Sequence, residues 1–106
     1  MHKYEIMFII KSDVEEEARN KLIEYFKGIL TTGEGTVDNV DEWGLRDFAY
    51  EIQHMKKGYY VVVDATTTPA NISEFERLSR INANVIRHMT LRRDGRVKSL
   101  WKTIKN

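Results

Sequence analysis

Seven lysines and arginines stand between Arg87 and Asn106 against one acid, Asp94, a net of +6. Residues 1–42 carry five basic residues against ten acidic ones, a net of −5. The overall charge of +1 conceals this segregation. Cations gathered at one end of a domain suit a polyanion, because guanidinium and ammonium groups neutralise phosphates without needing an aromatic platform. Arg80, Arg87, His88, Arg92 and Arg93 form the main candidate set, and Lys3 joins them if its strand lies beside theirs. Arg46, Lys56 and Lys57 form a second group. Catalysis has no comparable set. The three histidines, His2, His54 and His88, are scattered with no nucleophile pattern beside them, and Gly33 and Gly35 lack the lysine and hydroxyl residue of a phosphate loop. With no cysteine, disulfides, thiolate zinc sites and cysteine nucleophiles are excluded. Asp38, Asp41 and Glu42 read as a solvated acidic strand edge that discourages aggregation, since alternation sends neighbouring side chains to opposite faces.

A chain of 106 residues builds one domain. Residues 1–94 are expected to form it, with 95–106 a basic tail carrying Trp101 and Ile104. No apolar run reaches the roughly 20 residues that span a bilayer, so a soluble intracellular protein is expected. Tyr4 to Ile10 predicts a central strand with Ile6, Phe8 and Ile10 on one face and Met7 and Ile9 on the other. Ser12 followed by Glu15 predicts a capping box, and Val14, Ala18, Leu22, Phe26, Ile29 and Leu30 recur at helical spacing until Gly33. Glu15, Glu16 and Glu17 complement the dipole at that helix start.

Thr36 to Ile52 predicts a long second strand bent or bulged at Gly44. Lys56-Lys57-Gly58 predicts a basic turn, and Tyr59 to Ala65 a third strand. Thr68-Pro69 opens a second helix with Ile72, Phe75 and Leu78 inward, ending in a left-handed Asn82 or Asn84. Val85 to Arg93 closes the pattern as a fourth strand. The order predicts an α+β fold, a ferredoxin-like βαββαβ sandwich whose four-stranded antiparallel sheet carries two helices on one face. The other face has no helix to cover it. Met7, Ile9, Tyr60 and Val62 are expected there as an apolar docking surface for a partner, with Trp43 and Tyr50 on the long hairpin.

The run Gly44, Arg46, Asp47, Ala49, Tyr50 and Ile52 resembles the signature of the sixth protein of the bacterial small ribosomal subunit. It departs at Phe48, where leucine is usual, at Glu51, often proline, and at Gln53, often basic or small and polar. The resemblance extends from Tyr4-Glu5-Ile6-Met7 through Lys57-Gly58-Tyr59-Tyr60 to Val85-Ile86-Arg87-His88. It implies a cytoplasmic, non-catalytic structural constituent of the small ribosomal subunit that needs no cofactor, metal or small-molecule substrate. It further implies binding to the central domain of small-subunit ribosomal RNA together with ribosomal protein eighteen.

Two other readings share the element order, a free-standing RNA-recognition module and a small ferredoxin-like enzyme or ligand sensor. The first stacks bases on strand aromatics. Lys57-Gly58-Tyr59 begins its third-strand signature, but Tyr60, Val61 and Asp64 stand where it requires a small residue and two aromatics. A polar Asp64 on the uncovered face also sends Tyr59, Val61, Val63 and Ala65 beneath the helices.

Overall fold

The computed structural model describes residues 1–52 and 55–93, with the backbone alone for 48–52 and 55. The elements are β1 (His2–Lys11), α1 (Glu16–Leu30), β2 (Thr36–Ile52), β3 (Met55–Thr67), α2 (Pro69–Ile81) and β4 (Val85–Arg93). The sheet runs β2-β3-β1-β4 with every pairing antiparallel. This is the expected ferredoxin-like arrangement, and it sets β4 beside β1 and leaves β2 as an edge. Tyr50 has no described side chain, and the 95–106 tail lies outside the described residues.

Alternation along β1 separates two apolar clusters. Tyr4, Ile6, Phe8 and Ile10 join Leu22, Ile23, Phe26 and Leu30 of α1, Ile72 and Phe75 of α2, and Val61, Val63 and Ala65 of β3. Phe8, Phe26 and Phe75 meet in the middle at ring separations of 5.0 to 6.0 Å, and all are fully buried. Burying such a ring contributes about 1.5–3 kcal/mol relative to leaving it in water. Met7, Ile9 and Val62 form the second cluster on the face away from the helices.

Local chemistry explains where the elements stop. The expected capping box does not form. The Val14 amide donates to the Lys11 carbonyl across a turn that uses up Ser12, so α1 starts later, with Glu15 extended at the cap and making no side-chain capping bond. Glu16 and Glu17 occupy its first turn, while Ala18, expected inward, is exposed and Ile23 takes its place in the core. α2 opens as expected, with Thr68 Oγ1 accepting from the Asn71 amide at 3.2 Å and Pro69 in the first turn. It closes on Asn82 in an extended conformation (φ −83°, ψ 119°), not the expected left-handed one.

The ends of both helices and two strands are tied by one polar knot. Thr67 Oγ1 donates to the Leu30 carbonyl at 2.6 Å and accepts from Asn71 Nδ2 at 2.8 Å. The same amide donates to the Thr32 carbonyl at 2.9 Å. Gly35 passes directly against the Leu30 carbonyl and Thr67 Oγ1.

Candidate functional site

The uncovered face divides into an apolar half and a charged half. Register places Met7 opposite Val62 and Met89, and Ile9 opposite Tyr60 and Arg87. A bulge in β2 between Glu42 and Gly44, with Gly44 at φ +84°, puts Trp43 on this face, where its indole stacks on Tyr60 at 5.9 Å and 5°. A second bulge, in β4, adds Ile86. Met7, Ile9 and Val62 therefore sit on the expected face but are only 6%, 3% and 3% exposed, because Trp43, Tyr60 and Ile86 pack over them. The apolar surface left for contact is the outer side of that covering layer, together with Met89, which is exposed.

The charged half starts one register pair further along. Glu5 pairs with Asp64 and Leu91, and Lys3 with Thr66 and Arg93. The Arg93 guanidinium lies 3.9 Å from Asp64 Oδ1, and Glu5 is fully buried among these neighbours.

The cations predicted as one cluster fall on both faces. Lys3, Arg87 and Arg93 belong to the uncovered face. His88 and Arg92, paired with Phe8 and Tyr4, belong to the helix face. His88 is half-buried with its ring edge-on to Phe75 at 6.2 Å, and packing is what it does there. Arg92 Nη2 donates to His2 Nδ1 at 2.8 Å. Partial desolvation, followed by the Arg92 charge, pushes the His2 imidazole below its ordinary pKa. Arg80 is exposed near the end of α2. Among the described residues, Lys3, Arg80 and Arg87 have no carboxylate partner, which leaves them available to phosphates.

The hairpin cations sit differently from expectation. Lys56, Lys57 and Gly58 belong to β3, with Gly58 opposite Arg46 and Lys57 opposite Asp47. The residues expected to form the turn are thus strand, and the connection between β2 and β3 lies outside the described residues. Lys57 Nζ lies 3.9 Å from Asp47 Oδ1, an exposed pair worth little in water. Arg46 Cζ stands 5.7 Å from the Trp43 ring centre. Burial pushes the Tyr60 phenol above its ordinary pKa, opposed by the charges of Arg87 and Arg46.

No three His, Cys, Asp or Glu among the described residues are grouped to hold a metal ion, and none of the described helices is long and apolar enough to cross a membrane. Tyr59, Val61, Val63 and Ala65 face the helices as expected, so a base-stacking platform of the RNA-recognition type has no third-strand aromatic but Tyr60 on the uncovered face.

Against this geometry, the family model of ribosomal protein S6 matches residues 3–92, nearly the whole described domain. The chain belongs to the ribosomal protein S6 family. A crystal structure of the 30S ribosomal protein S6 from Thermotoga maritima is similar to it at 39% sequence identity, covering 87% of each chain with a TM-score of 0.81.

In this S6-family chain, sequence reasoning missed Arg19. Its guanidinium carbon lies 3.9 Å above the Tyr59 ring centre, reaching from α1 to β3. Tyr59 in turn donates its hydroxyl to Glu42 Oε1 at 2.9 Å. Burial, followed by the hydrogen bond to Glu42, pushes the Tyr59 phenol above its ordinary pKa. The available signal was position. An arginine in the first turns of α1, on the side facing the start of β3, has an aromatic within reach.

Proposed function

We propose that this chain is a non-catalytic structural constituent of the small ribosomal subunit, working on the ribosome in the cytoplasm. It binds the central domain of small-subunit ribosomal RNA jointly with ribosomal protein eighteen. The observation that carries this reading is the S6 family match over residues 3–92, supported by the 39% identity to a 30S subunit protein. The distribution of cations is consistent with it. Lys3 and Arg87 on the uncovered face, with Arg80 on α2, are exposed and have no carboxylate partner among the described residues, so phosphates can take them without breaking an existing ion pair. The Trp43 and Tyr60 layer with Met89 offers the apolar surface that a protein partner covers.

The test is binding of the chain to a central-domain RNA fragment, with and without ribosomal protein eighteen, across a salt series. Tight binding is expected only with the partner. For about five neutralised phosphates the logarithmic salt slope is roughly −3 to −5. Replacing Lys3 and Arg87 together by glutamine is expected to flatten that slope by about 1.5–2. A slope near zero, or equal affinity with and without the partner, contradicts the proposal.

A further inference from the structure

β2 and β3 run on past the rest of the sheet. β1 ends at Lys11, opposite Gly58, which on its other side pairs with Arg46, so residues 47–52 and 55–57 form a two-stranded arm beyond the end of β1. A ribbon of two strands is marginal in water, and where it points is set by how its root is held. Here the root is held on both faces by consecutive residues. On the helix side, Arg19 of α1 lies over the Tyr59 ring and the Tyr59 hydroxyl bonds Glu42 of β2, joining three elements. On the other side, Trp43 stacks on Tyr60, with Arg46 beyond it.

The helix-side clasp is chemically expensive. Arg19 Nε is buried without a hydrogen-bond partner among the described residues, a desolvation that an apolar side chain over Tyr59 avoids while giving the same cover. An arginine kept there at a cost to stability is doing something other than filling space. The arm it orients carries Lys56 and Lys57, with Arg46 at its root, offset by two acids, Asp47 and Glu51.

We infer that Arg19, Tyr59 and Glu42 are positioning residues for RNA binding. Their clasp fixes the direction of the β2–β3 arm, so that Arg46, Lys56 and Lys57 meet phosphates without first having to be ordered. The inference rests on the ribosomal reading above and adds to it a device that touches no RNA itself. Preorganisation of this kind raises affinity by removing the cost of ordering on binding.

The experiment measures binding of the full chain to the central-domain RNA fragment in the presence of ribosomal protein eighteen. Tyr59→Phe keeps the ring under Arg19 and changes no charge. It is expected to weaken binding roughly three- to tenfold. The salt slope should stay unchanged, and amide exchange along the arm should speed up. Glu42→Ala, which removes both the charge and the acceptor of the Tyr59 hydroxyl, provides a second variant with an opposite electrostatic bias. Losing a negative charge strengthens RNA binding by attraction alone, whereas loss of the clasp weakens it, and weakening is expected.

The deciding comparison repeats Tyr59→Phe in a Lys56→Gln, Lys57→Gln background, where it should cost little. An equal loss in both backgrounds, or no loss in a variant that remains folded, overturns the inference. If the double lysine variant binds like the wild type while Lys3→Gln with Arg87→Gln weakens the complex, the arm is not at the RNA. The inference then fails and the ribosomal reading stands. If the wild type binds no RNA with the partner present, both fail.

Discussion

Replacing Gly35 by alanine tests the polar knot that joins α1, β2, β3 and α2. A Cβ at this position points into the Leu30 carbonyl, closer than real Cβ atoms approach oxygen, and sits 2.7 Å from Thr67 Oγ1. The Leu30 carbonyl is backbone at the end of a helix and cannot swing aside. Thr67 can rotate, but doing so gives up its 2.6 Å bond to Leu30 and the 2.8 Å bond it receives from Asn71. Forcing extra volume into a packed site costs about 1–3 kcal/mol. Each buried hydrogen bond lost adds about 1 kcal/mol. Gly35→Ala is therefore expected to destabilise the fold by about 2–5 kcal/mol, against a total of about 5–15 kcal/mol for a domain of this kind. The melting temperature should fall by roughly 10–30 °C.

Urea denaturation followed by far-ultraviolet circular dichroism reads the change as a shifted midpoint at constant slope. Gly28→Ala is the internal control. Nothing lies within 4 Å of its added Cβ, it sits in α1, and alanine there should stabilise by about 0.5–1 kcal/mol. A Gly35→Ala midpoint within error of the wild type, or equal losses for both variants, refutes the steric account.

Tyr59 and Tyr60 both have phenols held above their ordinary pKa, so each favours folding while protonated. That contribution is fully present below the unfolded tyrosine pKa of about 10 and is lost as pH rises through the folded values. Stability should fall on the alkaline side of pH 10, and Tyr59→Phe should soften the fall; an unchanged alkaline limb in the variant counts against the Glu42 bond. Thr68→Ala removes the side-chain cap of α2 and should cost about 1 kcal/mol, with Thr68→Ser recovering most of it. Equal midpoints for Thr68→Ala and wild type in urea show that the cap contributes nothing.

Much of the architecture was legible because it rests on periodicity. β2 and β4 were predicted with the bounds observed, and Gly44 was expected at a bend or bulge; it forms the bulge at φ +84°, a left-handed conformation that glycine takes without strain. What failed was local chemistry with two competing outcomes. Ser12 and Glu15 satisfy the spacing of a capping box, but the exit from β1 spends Ser12 on a turn and leaves Glu15 itself at the cap. Lys56 and Lys57 look like turn residues by composition and are strand residues by pairing.

The candidate site was less legible, since clustering in sequence is not clustering in space. Alternation alone separates Arg87 and Arg93 from His88 and Arg92. The β4 bulge, which gives Ile86 and Arg87 the same face, has no sequence marker comparable to Gly44. The burial of Met7, Ile9 and Val62 could not be read from their strands, because it depends on Trp43, a residue displaced to that face by its own bulge.

The arm also bears on how such a chain tolerates insertions and deletions. Beyond Gly58 the described residues of the ribbon pair with no third strand, so residues added or removed there in matched pairs alter its reach, by about 3.4 Å for each residue of strand, and leave the core untouched. A single residue inserted between Tyr60 and Val61, with Val61 held in the core, moves Tyr60 to the helix face and Tyr59 to the other, undoing both clasps at once. Lineages can therefore tune the length of the arm in steps, while its root tolerates no odd-numbered change.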